Sequence, residues 1–201
     1  MVSPGGSILV FDSLYFLERG LIMDYNTSKK QAQKHVGDKN YCTVLASSIF
    51  FNADYDKTHK FYADNGRKLG RGLNDHMTNK LIQKMSKKHD LEVEYYRKIC
   101  RGISVFSIDG KLSREKHYRF ENLGGEIFIN MSKNLTLKNF NEYLPTGNYI
   151  FGISGHVLAV KNGAIQDWTE LENKNGIINR IWAEKYPEFI EDDEIDYSSL
   201  C

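Results

Sequence analysis

Asn162-Gly163, set between HVLAVK and AIQDW, constrains this chain more than any other pair of residues. Both central positions of a type I′ turn need positive φ, and Asn-Gly between two alternating segments is the strongest short-range hairpin signal. With a two-residue turn, Lys161 pairs with Ala164 and, continuing outward, Leu158 faces Asp167. Side chains alternate along a strand, so His156 shares a face with Leu158 and becomes a diagonal neighbour of Asp167. Such neighbours have Cβ atoms roughly 7–8 Å apart, a gap that an imidazole and a carboxylate can close.

The rest of the chain divides near residue 100. Before it, the spacing predicts helices. CTVLASSIFF is apolar for about three turns, and its β-branched and aromatic content also suits a strand. Asp38 or Asn40 is placed to cap its start. A second helix begins at Asp54 and ends at Gly66 as a C-cap. Residues 75–88 carry Met77, Leu81, Ile82 and Met85 at helical spacing. Residues 24–40 read as a polar, Lys-rich loop or arm. After residue 100 come strand signals: GISVFSI ending at Asp109-Gly110, YRFENL and EIFINM about Gly124-Gly125, then NYIFGIS, HVLAVK and AIQDW. LTLKNFNEYL reads as a short helix, and IINRIWAEKY as a last one. Helices first and an antiparallel sheet second make an α+β plan.

The length of 201 residues fits one core. Residues 1–22 read as an accessory segment or an over-extended start, 23–186 as the domain, and 187–201 as an acidic tail. The apolar run at 8–22 is broken by Asp12, Glu18 and Arg19, which argues against a membrane span, and no basic region precedes it as in a signal peptide. The net charge of +1 gives no bulk attraction to nucleic acid or an anionic membrane. Cys42, Cys100 and Cys201 are an odd number without a CxxC pair, so neither a disulfide framework nor a zinc site is indicated, and free thiols suit a reducing cytoplasm. The histidines at 35, 59, 76, 89 and 117 lack metal-ligand spacing. The basic loop GRKLGRG (66–72) lacks the GK[ST] ending of a phosphate-binding loop and follows a helix, so it reads as a solvated loop and nucleic acid is disfavoured.

Chemistry concentrates on three residues. Cys42 opens a helix, whose N-terminal partial positive charge favours a thiolate. His156 supplies a base, and Asp167 a carboxylate to orient it. Asn40 is a candidate oxyanion donor, with the backbone N–H of Cys42 as the second. Gly155 and Trp168 are candidate substrate contacts, the glycine because it lets a backbone pass close to the histidine.

The segments KNYCTVLASSIFF, GRKLGRG and LTLKNFNEYLPTGNYIFGISGHVLAVKNGAIQDW together resemble the papain-like cysteine peptidases, particularly small phage and bacterial members. The likeness spans most of residues 38–168, leaving 95–132 unmatched, a stretch that would shape a specificity surface or cover the site. The resemblance implies a helix carrying Cys42 packed on a sheet carrying His156 and Asp167, and a thiol hydrolase that cleaves an amide, peptide or isopeptide bond without metal or cofactor. Its partner would be a protein or peptide substrate, in the cytoplasm, or the host cytoplasm for a phage protein. Two other readings use the same scaffold: an acyltransferase, transglutaminase or deamidase acting through the same thioester, and a non-enzymatic binding protein such as a phage factor acting on a host protein.

Overall fold

A computed structural model of the protein describes residues 23–35, 37–106, 112–167 and 175–185. Segment 1–22, the Asp109-Gly110 turn, Trp168 and the tail 187–201 lie outside the described residues. Among the described residues, four helices come first: α1 (Tyr25–Ala32), α2 (Cys42–Phe50), α3 (Tyr55–Asp64) and α4 (Asp75–Lys88). They are followed by β1 (Val93–Phe106), β2 (Leu112–Glu121), β3 (Ile127–Met131), a single turn α5 (Phe140–Tyr143), β4 (Tyr149–Ile153), β5 (His156–Lys161), β6 (Ala164–Gln166) and β7 (Arg180–Glu184). The strands form one antiparallel sheet in the order β3-β2-β1-β7-β4-β5-β6. The α+β plan with N-terminal helices on a C-terminal sheet is therefore what the chain adopts.

The centre of the sheet is buried on both faces. Ile150, Val157, Ala159 and Trp182 join Val44, Leu45, Ile49 and Leu81 in a core between helices and sheet. Their sequence neighbours Phe151, Leu158, Val160 and Ile181 join Phe120, Leu135 and Phe140 in a second core on the other side. This corrects the reading of IINRIWAEKY as a helix. β7 sits between β1 and β4, so Ile181, Trp182 and Ala183 are all buried. With both faces covered, the period-two signal vanishes, and a short continuous apolar run no longer tells strand from helix. At the close crossing of β4 and β7, a Cβ on Gly152 would lie 2.6 Å from Arg180 Nε, so no larger residue fits without moving the arginine.

Residues 24–40, read as a loop, hold α1. Asp24 caps it by accepting from Thr27 N–H. Its buried face is Ser28 and Ala32, small residues that a scan for large apolar side chains passes over. Ser48 Oγ donates to Ser28 Oγ at 3.1 Å, bringing the two helices close. The helix over CTVLASSIFF is α2. Every residue from Thr43 to Phe50 is buried, as expected of a helix apolar all round, and it packs chiefly on β5. Neither Asp38 nor Asn40 caps it: the N-cap position is Tyr41, without a side-chain cap bond.

The Asn162-Gly163 turn forms as the sequence requires, with φ of 51° and 75°. The register is Lys161 with Ala164, Val160 with Ile165 and Ala159 with Gln166, so the projected facing of Leu158 and Asp167 continues one step beyond the ladder.

Candidate active site

Two turns deliver the histidine. Ile153 pairs with His156 across a two-residue connection, Ser154-Gly155, and Gly155 takes φ of 70°, a conformation that side chains disfavour. His156 therefore starts β5 at the rim of the sheet, while the chain leaving β6 carries Asp167 to the same rim. Nε2–H of His156 donates to Asp167 Oδ2 at 2.9 Å. The carboxylate is buried, its side chain 2% exposed. A carboxylate acceptor places the ring proton on Nε2, leaving Nδ1 as the nitrogen that can exchange a proton with the thiol.

The first residue of α2 completes the group. Cys42 is half-buried, and its thiol and the His156 ring lie near enough to shift each other's pKa. Burial by itself would raise the thiol pKa. The hydrogen bond and positive charge of His156, the backbone N–H of Val157 and the Thr43 hydroxyl outweigh it, holding Cys42 below its ordinary value. On His156, burial pulls the pKa down, but the hydrogen bonds to Asp167 and then to Cys42 raise it from 6.5 to about 9. Both shifts favour a thiolate–imidazolium pair at neutral pH.

These opposed shifts have a consequence for stability. On folding, the raised pKa of His156 draws a proton in and the lowered pKa of Cys42 favours releasing one, so the two pH dependences oppose each other. In Cys42→Ala the histidine, still raised by Asp167, acts alone. Its contribution is complete below about pH 6.5 and is lost as pH rises toward its folded pKa. Urea denaturation at a series of pH values should show the variant losing stability over that interval while the wild type stays flatter.

Asn40 has a partner that the sequence does not indicate. Its side-chain amide donates one hydrogen to Gly70 O at 2.7 Å, which ties it to the loop after α3. The remaining donors near the sulfur are the first-turn N–H groups of α2, which have no intrahelical acceptors and, at Tyr41, no side-chain cap. Gly155 has open space where a Cβ would stand, so a chain can approach there.

Residues with no recognised role in the sequence brace the approach to Cys42. Arg67, 4% exposed, makes a bidentate pair with Asp38, 2.8 Å on each arm, and its NH2 also donates to Asn40 O. Asp38 Oδ1 accepts from Gly70 N–H, and Oδ2 lies 3.1 Å from His59 Nε2. Burial would raise the Asp38 pKa, but Arg67, His59 and Gly70 lower it. GRKLGRG is thus not wholly a solvated loop: its first arginine is a buried anchor. The two partners stand 29 residues apart, and no spacing rule links them.

The unmatched stretch 95–132 falls on β1–β3. Its β1–β2 hairpin runs on past Arg97, where β7 ends opposite Gly152. It therefore projects at the end of the sheet where His156 lies, with β7 and β4 between. Among the described residues, no group of three or more His, Cys, Asp or Glu could hold a metal ion, and no helix is long and apolar enough to cross a membrane. Comparisons with protein-family models, with curated proteins and with solved structures found no match to this chain.

Proposed function

We propose that the protein is a thiol-dependent hydrolase of amide, peptide or isopeptide bonds, with a papain-like Cys42–His156–Asp167 arrangement. The observation that carries this reading is that one imidazole is hydrogen-bonded to a buried carboxylate and interacts with the Cys42 thiol, each shifting the other's pKa toward the charged form. A histidine bonded to an acid alone would be a structural residue; one that also stands beside a thiol is equipped to move a proton.

In this reading the Cys42 thiolate attacks the carbonyl carbon, forming a C–S bond and an oxyanion. Backbone N–H groups of the first turn of α2 receive the oxyanion. His156 gives its Nδ1 proton to the amide nitrogen as the C–N bond breaks, releasing an amine and leaving a thioester. Water then adds to the thioester, His156 takes its proton, and the thiolate departs as the carboxylic acid forms. Asp167 holds the ring and its charge throughout.

The test is new N-termini. Wild-type protein and Cys42→Ala are incubated with a denatured proteome, and the amines generated are labelled and sequenced by mass spectrometry. Cleavages made only by the wild type support the hydrolase. Identical N-terminus sets from the two proteins would sink it.

A further inference from the structure

The two segments that meet beside Cys42 are 37–41, GDKNY, and 66–73, GRKLGRGL. They are locked together. Asn40 Nδ2 donates to Gly70 O, Arg67 donates to Asn40 O, and Gly70 N–H donates to Asp38. A Cβ on Gly70 would stand only 3.2 Å from Gly37 O. Asn40 is two residues from Cys42, so their Cα atoms are at most about 7.6 Å apart, and the Asn40 amide holds Gly70 to that approach.

Their charges are sorted by burial. The only carboxylate in either segment is Asp38, and it is 5% exposed and spent on Arg67, His59 and Gly70. The cations left at the surface are Lys39, Lys68 and Arg71, all exposed. Carboxylates on the neighbouring helices are already paired: Asp64 with Lys60, Asp56 with His35, and Asp75 with Arg180. Between the cations stands Leu69, 59% exposed, which the loop turns outward while Arg67 is drawn in. With a net charge of only +1, the chain as a whole does not attract anions, so attraction here comes from local groups such as these.

We propose that segments 37–41 and 66–73 form a recognition surface for an acidic stretch of the protein or peptide substrate, with Leu69 contacting an apolar side chain between its carboxylates. The inference rests on the hydrolase reading for what the bound stretch is there for, and on charge and geometry for the binding itself. Peptide is favoured over single-stranded nucleic acid because the exposed apolar residue is a leucine, whereas base-stacking grooves use aromatic platforms. The aromatic residue of the pair, Tyr41, packs edge-on against Tyr55.

The test separates binding from catalysis by using full-length Cys42→Ala, which needs no chemistry to bind. Fluorescence anisotropy is measured with a labelled Glu-rich peptide containing leucine, a Lys-rich peptide of equal length, and an oligothymidylate of equal charge. The Glu-rich peptide should bind at least about tenfold more tightly than the Lys-rich one at low salt, a gap that narrows as salt is added. Lys68→Glu with Arg71→Glu, both at exposed positions, should abolish or reverse the preference. Equal affinity for the two peptides, a preference that the double substitution leaves unmoved, or tighter binding of the oligothymidylate than of the Glu-rich peptide would each overturn the proposal. A failed search for cleaved N-termini, by contrast, bears on the hydrolase and leaves these affinities to be read on their own.

Discussion

At pH 6, iodoacetamide should modify Cys42 at least about tenfold faster than Cys100 in the same molecule. Cys100 is exposed on β1 and serves as the internal reference. An ordinary thiol with a pKa near 8.5 is only roughly 0.3% thiolate at pH 6. Cys42 is held below its usual value by His156, and His156 is raised to about 9, so the thiolate fraction of Cys42 at pH 6 exceeds that of an ordinary thiol. Two effects reduce the advantage below the ratio of thiolate populations. A thiolate of lower pKa is intrinsically less nucleophilic, and Cys42 is half-buried. Asp167→Asn removes the strongest interaction raising His156. The imidazolium then loses its proton at lower pH, and without it the thiol regains its own. The acid limb of the rate profile should move to higher pH, and the rate at pH 6 should fall by about tenfold, one pKa unit's worth. Peptide mass spectrometry reads both cysteines in one sample. Equal rates for Cys42 and Cys100 at pH 6 would remove the activated thiolate from the account.

How much of this could be read beforehand follows from which interactions are local. The meeting of His156 with Asp167 was legible because a two-residue turn fixes the register, and register fixes faces; the observed pairs 161–164 to 159–166 continue to the acid. α3 was legible from its ends and α4 from its spacing; Asp54 caps the first, and Asn74 caps the second. β7 was lost because it is buried on both faces, and α1 because its contacts are made by serine and alanine. The hydrogen bond that Asn40 makes was not legible. Nearness in sequence to the nucleophile suggested a donor to substrate, while its amide was claimed by Gly70, thirty residues on. The Arg67–Asp38 pair belongs to the same class: it depends on how α3 returns the chain to the start of α2, which no local pattern records.

That pair carries the second large expectation. Arg67→Ala should destabilise the fold by about 3–5 kcal/mol, the cost of leaving a buried carboxylate without its cation. The side chains of both partners are at most 1% exposed, so the allowance made for surface ion pairs does not apply. His59 and the Gly70 N–H would still face Asp38, which places the loss toward the lower end. Arg67→Lys should not restore it, because one ammonium cannot span both carboxylate oxygens and Asn40 O together. The double variant Asp38→Leu, Arg67→Met separates stability from placement. Burying two apolar groups in place of an ion pair is often neutral or better, so urea denaturation should return most of the lost stability. The bonds from Arg67 to Asn40 O and from Gly70 N–H to Asp38 would nevertheless be gone. Loop 66–73 would then be held to the approach of Cys42 by the Asn40 amide alone, and the preference for the Glu-rich peptide should drop although the fold persists. If the double variant is as stable as the wild type and keeps that preference in full, the ion pair is a packing element and the loop needs no clamp.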